Sequence, residues 1–142
     1  MMYYMTLFIL TVLFLLSGPE SLSAESQVMI NLESLQAKII QAESSGRAGA
    51  VGDRGQSRGL MQIQKATWER HTDLSWDLAF DPRMSKMVGM RVLRGIRDHY
   101  GKRATPALIS LSYNTGKWYK TIPTWALRHP NMIYRSLMRG DL

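Results

Sequence analysis

Helix start and stop signals divide most of this chain into short apolar segments. Asp81-Pro82 and Thr105-Pro106 each place a proline in a first helical turn, where its missing N–H costs nothing. Gly101 and Gly116 then end the two segments that these prolines begin. No stretch alternates convincingly between polar and apolar residues at period two, which argues against a large sheet. The pattern therefore predicts a mainly α fold.

Apolar residues at helical spacing mark the remaining predicted helices. Steps of three and four residues separate the apolar positions of the first helix, which are Val28, Leu32, Leu35, Ile39 and Ala42. This helix is predicted to run to about Ser44. Further helices are predicted over Leu60 to His71, Asp81 to Tyr100, Ala107 to Asn114 and Asn131 to Arg139. The Gly-rich segment Arg47 to Arg58 lacks this periodicity and is predicted to be a loop with at most a small β-hairpin.

The first residues differ in composition from the rest of the chain. Side chains from Met5 to Leu16 are almost all apolar, and a Ser-rich stretch then leads from Ser17 to Ala24. An apolar run of about a dozen residues is shorter than the ~20 that a membrane-spanning helix needs. We therefore predict a secretory signal peptide over residues 1–24, cleaved after Ala24. Because no Lys or Arg precedes the apolar run, an uncleaved membrane anchor stays open as the alternative.

Residues 25–142 are predicted to fold as a single domain, since no linker or repeat divides them. Loss of the signal peptide removes one acid and no base, which changes the net charge from +7 to +8. Such a charge attracts polyanions but does not select among them. The chain has no Cys, and His71, His99 and His129 are not spaced as metal ligands. We expect no metal and no cofactor.

Glu43 stands between an apolar helix and the Gly-rich loop, a junction at which side chains commonly line a cleft. The negative end of the helix dipole and apolar surroundings both disfavour its charged form. Both effects would raise the pKa of Glu43 toward the value that a general acid needs. Its position alone is also typical of a solvated glutamate at a helix end.

Blocks of sequence around and after Glu43 resemble one enzyme family. The first two motifs of the lytic transglycosylases with a lysozyme-like SLT domain resemble Ala42-Glu43-Ser44-Ser45, Ala50-Val51-Gly52-Asp53 and Ser57-Arg58-Gly59-Leu60-Met61-Gln62-Ile63. The family's helix between motifs resembles Asp81-Pro82, Gly89, Leu93 and Tyr100-Gly101. Its Ala-Tyr-Asn-Ala-Gly signature resembles Ser112-Tyr113-Asn114-Thr115-Gly116. Blocks in the correct order at workable spacings are far more specific than any one of them alone.

The resemblance covers about residues 28–138 and implies a lysozyme-like, SLT-type single domain. It also implies a carbon–oxygen lyase that cleaves the β-1,4 bond between N-acetylmuramic acid and N-acetylglucosamine and leaves a 1,6-anhydro sugar. By this analogy Glu43 protonates the glycosidic oxygen and then takes the proton of the muramic acid C6 hydroxyl, which attacks C1. An intramolecular hydroxyl near C1 has a high effective concentration, so no second carboxylate is needed to position water.

Location and partners are likewise expectations from the resemblance. A short exported chain with this domain is most similar to the small specialised transglycosylases associated with secretion, conjugation or pilus systems. We therefore expect a monomer in the bacterial periplasm, with peptidoglycan glycan strands as substrate. One of these assemblies is the expected protein partner, and no nucleic acid is expected to bind.

The residues that the resemblance implies for substrate binding are Ser44, Gly59, Met61, Gln62, Tyr113, Asn114 and Tyr134. In the family, the positions of Met61 and Gln62 contact sugar and buttress the acid, and that of Gly59 lets the backbone approach the glycan. Tyr113 matches the tyrosine whose hydroxyl points at the catalytic carboxyl. Tyr134 resembles a later tyrosine that lines the cleft.

Other functions stay open at this stage. A hydrolytic lysozyme would pair Glu43 with a second carboxylate, and Asp53 is the nearby acid. We prefer to interpret Asp53 as a turn residue whose carboxylate binds backbone amides between two glycines. A nucleic-acid-binding module would use the basic helix over residues 83–103, although export removes it from cytoplasmic nucleic acid. A non-catalytic peptidoglycan-binding assembly protein would have no need of Glu43.

Overall fold

The computed structural model describes residues 29–141, and this range contains five α-helices and one small sheet. The helices are α1 (Leu32–Ser44), α2 (Lys65–His71), α3 (Pro82–Tyr100), α4 (Pro106–Thr115) and α5 (Met132–Arg139). The strands β1 (Val51–Gly52), β2 (Ser57–Arg58) and β3 (Ile63–Gln64) pair antiparallel in the order β1-β2-β3. Short 3-10 turns lie at Asp53–Gly55, Trp76–Phe80, Gly101–Arg103 and Ala126–Arg128. The prediction of a mainly α fold is confirmed.

The predicted signal peptide lies outside the described residues. Within residues 29–141 we find no helix with the length and apolar character that crossing a bilayer requires.

Side-chain caps determine where four of the helices begin. The side chains of Asn31, Asp81, Thr105 and Asn131 each accept a hydrogen bond from a backbone N–H in the first turn of the following helix. These N–H groups have no partner within the helix, so each cap satisfies a donor that would otherwise need water. The cap at Asn31 also sets the start of α1 at Leu32, which is later than the sequence periodicity predicted.

The predicted helix over Leu60 to His71 is wrong in its first part. Leu60 to Gln62 form a turn, β3 follows, and α2 begins only at Lys65. Gly59 and Gln62 have φ angles of 77° and 48°, in the left-handed region that a right-handed helix excludes. The predicted hairpin is present, and residues that we expected to be helical add its third strand.

One hydrophobic core joins all five helices. Ile39 of α1, Trp68 of α2, Leu93 of α3, Ile109 of α4 and Leu137 of α5 are fully buried or nearly so. The long helix α3 packs against α1, α2 and α4, while α5 packs against α1 and α4. Each buried aliphatic side chain contributes about 1.5–3 kcal/mol to folding. This packing brings the end of α1, the sheet, the end of α4 and the start of α5 to one side of the molecule.

Gly59 allows the sheet to pass close to the turn Trp76–Phe80. A Cβ atom at this position would overlap the carbonyl oxygen of Ala79. Next to it, the Arg58 guanidinium lies 3.7 Å from the centre of the Trp76 ring and 2.7 Å from Asp77 Oδ1. The glycine and the arginine together attach the sheet to the helical part of the fold.

We predict that Gly59→Ala destabilises the protein by about 2 kcal/mol or more beyond the cost of Gly46→Ala. Gly46 is a matched control because its φ is 78° and a Cβ atom there would meet nothing within 4 Å, so both substitutions strain the backbone but only Gly59→Ala creates an overlap. Urea unfolding of both variants measures the difference. Equal free energies of unfolding would show that the contact with Ala79 is not tight.

Candidate active site

A groove of about 680 Å³ opens beside the end of α1, and Glu43 lies in it. Gly52 and Gln62 line it from the sheet, while Tyr113 and Asn114 line it from the end of α4. Its other arm runs between α2 and α3. A cleft of this size can hold part of an oligosaccharide and exclude much of the water around it.

Glu43 is a half-buried carboxyl whose pKa is raised above its ordinary value. Burial is the largest cause, because removal from water disfavours the charged form. Hydrogen bonding from Tyr134 and Asn114 opposes this shift, and the negative charge of Asp53 adds a smaller upward shift. The direction of the shift is the one expected from the sequence, and burial, one of the two expected causes, is the largest. A raised pKa keeps the proton that a general acid must donate.

Tyr134 makes the closest contact with the Glu43 carboxyl. Its hydroxyl donates a 2.5 Å hydrogen bond to Glu43 Oε1, and its ring is 2% exposed. Burial and the nearby carboxylate raise the pKa of Tyr134 far above its ordinary value, so the phenol keeps its proton and remains a donor. It lies in the first turn of α5, where its backbone N–H is capped by Asn131.

The resemblance led us to expect that the Tyr113 hydroxyl points at the Glu43 carboxyl, and this expectation is wrong. The hydroxyl donates instead to the backbone carbonyl oxygen of Met61 at 2.6 Å. Burial and the charge of Glu43 raise the pKa of Tyr113, so this phenol also stays protonated. Tyr113 therefore holds the turn between β2 and β3 against α4, and the Tyr134 hydroxyl is the one that contacts the acid.

Gln62 lines the groove, but its amide holds the sheet together. Nε2 donates to the carbonyl oxygens of Ala50 and Gly59 at 3.1 and 2.9 Å, and Oε1 accepts from the Ser57 hydroxyl at 3.1 Å. A side chain at Gly52 would overlap this amide. Gln62 therefore fixes the sheet that forms one wall of the groove.

Three of the predicted sugar-binding residues lie behind the groove wall. Ser44 is 2% exposed and donates to the Ile40 carbonyl oxygen of its own helix at 3.1 Å. Met61 is fully buried, with its sulfur next to the Gln36 amide. The close approach that Gly59 permits is to protein backbone. These expectations of sugar contact are therefore corrected, since each residue supports the wall from behind.

Asp53 lies exposed on the rim of the groove. The expected turn is present, since Gln56 N donates to the Asp53 backbone carbonyl at 3.2 Å. Its carboxylate, however, accepts no hydrogen bond from residues 29–141, unlike the amide-bound turn carboxylate that we preferred. No cluster of three or more His, Cys, Asp or Glu side chains suited to a metal occurs in the described part of the chain.

Sequence reasoning missed a group of polar residues behind Asn114. His129 Nε2 lies 3.3 Å from Asn114 Oδ1, and His129 Nδ1 accepts a 3.1 Å hydrogen bond from the backbone N–H of Asn131. Asn131 Nδ2 donates to the Ala42 carbonyl oxygen, one residue before the acid. A lone histidine followed by proline gives no sequence signal for this role. The predicted helix start at Asn131 was the sequence signal that pointed to this part of the chain.

The other arm of the groove ends in two stacked rings. The Trp118 and His99 rings lie 3.7 Å apart at an interplanar angle of 21°, and Trp118 is 57% exposed. Both residues line the groove. The exposure of Trp118 makes an apolar face available to a sugar ring.

A family model of the transglycosylase SLT domain matches residues 21–122. Because this match spans more than half of the chain, the protein belongs to the SLT-domain transglycosylases. The family indicates a lytic transglycosylase that acts on peptidoglycan. Neither a curated protein nor a solved structure matches the chain. The matched range includes Glu43 and Asn114 and ends before His129 and Tyr134.

We predict that Tyr134→Phe moves the alkaline limb of the kcat/KM profile to higher pH and lowers kcat/KM about tenfold. Loss of this donor raises the pKa of Glu43, so the acid stays protonated to higher pH, and the carboxylate formed in the reaction loses a partner. The pH dependence of peptidoglycan cleavage measures both effects.

Tyr113→Phe is the matched comparison, because it removes a phenol oxygen that binds backbone. We expect it to cost about 1–2 kcal/mol of stability and to leave the alkaline limb in place. If Tyr113→Phe moved the limb and Tyr134→Phe did not, the two tyrosines would have been assigned the wrong way round.

Proposed function

We propose that this protein cleaves the β-1,4 bond between N-acetylmuramic acid and N-acetylglucosamine and leaves a 1,6-anhydromuramic acid product. The observation that carries the proposal is the environment of Glu43, a half-buried carboxyl with a raised pKa, faced by donors and open to the groove. Asp53 is the other acid among the groove-lining residues of the described chain, and it lies exposed on the rim.

In the first step, Glu43 gives its proton to the glycosidic oxygen while the bond from that oxygen to C1 breaks. The carboxyl becomes a carboxylate, and positive charge develops at C1 of the muramic acid. The Tyr134 hydroxyl already faces Glu43 Oε1, so it stabilises the new negative charge without moving. Burial thus favours the acid before transfer, and the donor favours the carboxylate after transfer.

In the second step, the muramic acid C6 oxygen forms a bond to C1 while the Glu43 carboxylate takes the C6 hydroxyl proton. This closes the 1,6-anhydro ring and returns Glu43 to its protonated form, so no water is consumed. The opposing effects on the Glu43 pKa suit a group that must release and recover a proton in one cycle.

A hydrolytic lysozyme is the second candidate, and a specific observation supports considering it. Asp53 lines the same groove, its negative charge raises the pKa of Glu43, and its carboxylate is unoccupied by hydrogen bonds within the described residues. Such a group could position a water molecule for attack on C1.

The test is product analysis after digestion of purified peptidoglycan by the wild type, Glu43→Gln and Asp53→Asn. We expect anhydro products from the wild type, a loss of at least about a thousandfold in rate for Glu43→Gln, and at most a few-fold loss for Asp53→Asn. Both substitutions remove one carboxylate at nearly constant volume, so each serves as the control for the other.

Reducing ends in place of anhydro ends, together with inactivity of Asp53→Asn, would establish the lysozyme. Binding of peptidoglycan without any product from the wild type would establish a non-catalytic binding protein.

We further propose that the protein acts in the periplasm, where it opens the wall locally for a secretion, conjugation or pilus apparatus. An apolar segment followed by a Ser-rich stretch at residues 1–24 supports export, either with cleavage or with retention as an anchor. The net charge of +8 after removal of this segment supports residence near anionic wall polymers or lipid head groups.

A further inference from the structure

The Asn114 side chain has two faces with opposite effects on an acid. Its NH2 group donates and stabilises a carboxylate, whereas its carbonyl oxygen accepts and can bind the proton of a protonated carboxyl. Asn114 lines the groove together with Glu43. Hydrogen bonding from its amide lowers the pKa of Glu43 and that of Tyr134, which is the effect of a donor. Because both ends of an amide have similar size, packing alone does not decide which end faces the acid.

His129 decides this orientation through the hydrogen bonds of its two ring nitrogens. Nδ1 accepts from the backbone N–H of Asn131, so Nδ1 carries no proton in this arrangement. In the neutral ring the proton is then on Nε2, which faces Asn114 Oδ1 at 3.3 Å. Nε2–H therefore donates to the amide oxygen, and the amide nitrogen is left to face Glu43.

We propose that His129 is a positioning residue that holds the Asn114 amide with its donor side toward the catalytic acid. This proposal rests on the proposed function of Glu43. A reversed amide would accept a hydrogen bond from the protonated Glu43 carboxyl and so direct its proton away from the glycosidic oxygen. It would also remove one donor from the carboxylate. The backbone N–H of Asn131 selects the tautomer of His129, the tautomer selects the orientation of the Asn114 amide, and the amide favours proton release by Glu43.

The groups that face Glu43 come from three parts of the fold. Tyr134 belongs to α5, Asn114 and Tyr113 to α4, and Asp53 to the turn after β1. Of these, Asn114 is the one whose side-chain oxygen contacts a histidine. The His129 ring also lies 5.2 Å from the Tyr134 ring, so a substitution must keep an aromatic ring to isolate the hydrogen bonds.

The test compares His129→Phe, Asn114→Leu and the double variant. His129→Phe keeps a ring beside Tyr134 and removes both hydrogen bonds. We expect it to lower kcat/KM on soluble glycan fragments about fivefold and to move the alkaline limb to higher pH, and we expect Asn114→Leu to do the same about tenfold. In the double variant the loss should equal that of Asn114→Leu alone, since His129 acts through that amide.

Two further variants separate positioning from folding. His129→Gln places an amide donor near Asn114 Oδ1 and should restore part of the rate and of the pH profile. Arg128→Ala removes an exposed side chain from the same turn and should match the wild type. Thermal unfolding checks that each variant is folded, and His129→Ala replaces His129→Phe if the phenylalanine is not accommodated.

A readout without substrate distinguishes this proposal from the proposed function. Carbon NMR titration of the Glu43 carboxyl should give a higher pKa in His129→Phe than in the wild type, whatever product the enzyme makes. An unchanged Glu43 pKa, or losses that add fully in the double variant, would overturn the role of His129. A raised pKa in an enzyme that adds water to its product would keep that role and overturn the proposed function.

Discussion

The burial of one carboxyl against hydrogen-bond donors is the constraint on which the rest of this structure depends. Burial raises the pKa of Glu43, while Tyr134 and Asn114 limit that rise and stand ready for the charged form. Neither influence alone suits a group that donates and then accepts a proton. A fully solvated Glu43 would lose its proton too readily, and a buried one without donors would hold its proton too tightly.

The fold maintains this balance through contacts between segments that are distant in sequence. Asn131 caps α5, donates its side-chain amide to the Ala42 carbonyl oxygen and supports His129 through its backbone. It therefore connects the end of α1 to the helix that carries Tyr134. On the opposite wall, Gln62 binds the Ser57 hydroxyl of β2 and two carbonyl oxygens next to the strands, those of Ala50 and Gly59. Gly59 keeps the sheet close to the turn before α3.

Local signals in the sequence predicted the features that depend on local chemistry. Asp81-Pro82 and Gly101 bounded the longest helix correctly, and the resemblance placed Glu43 where the groove is found. The start of α2 was missed because Leu60, Met61 and Ile63 supply apolar positions that also fit a helix. The left-handed backbone at Gln62 is stabilised by contacts with residues around the neighbouring strands. That Tyr134, and not Tyr113, donates to the Glu43 carboxyl was missed for a similar reason. Which phenol reaches the acid depends on how α4 and α5 pack, and their spacing along the chain does not show it.

The central claim is that one carboxyl gives a proton to the leaving sugar and recovers it from the same substrate, with no water entering the product. The most direct measurement is digestion of peptidoglycan in water enriched in oxygen-18, followed by mass spectrometry of the released muropeptides under conditions without exchange. We predict anhydro products that carry no label. Products with a labelled hydroxyl at C1 would contradict this claim.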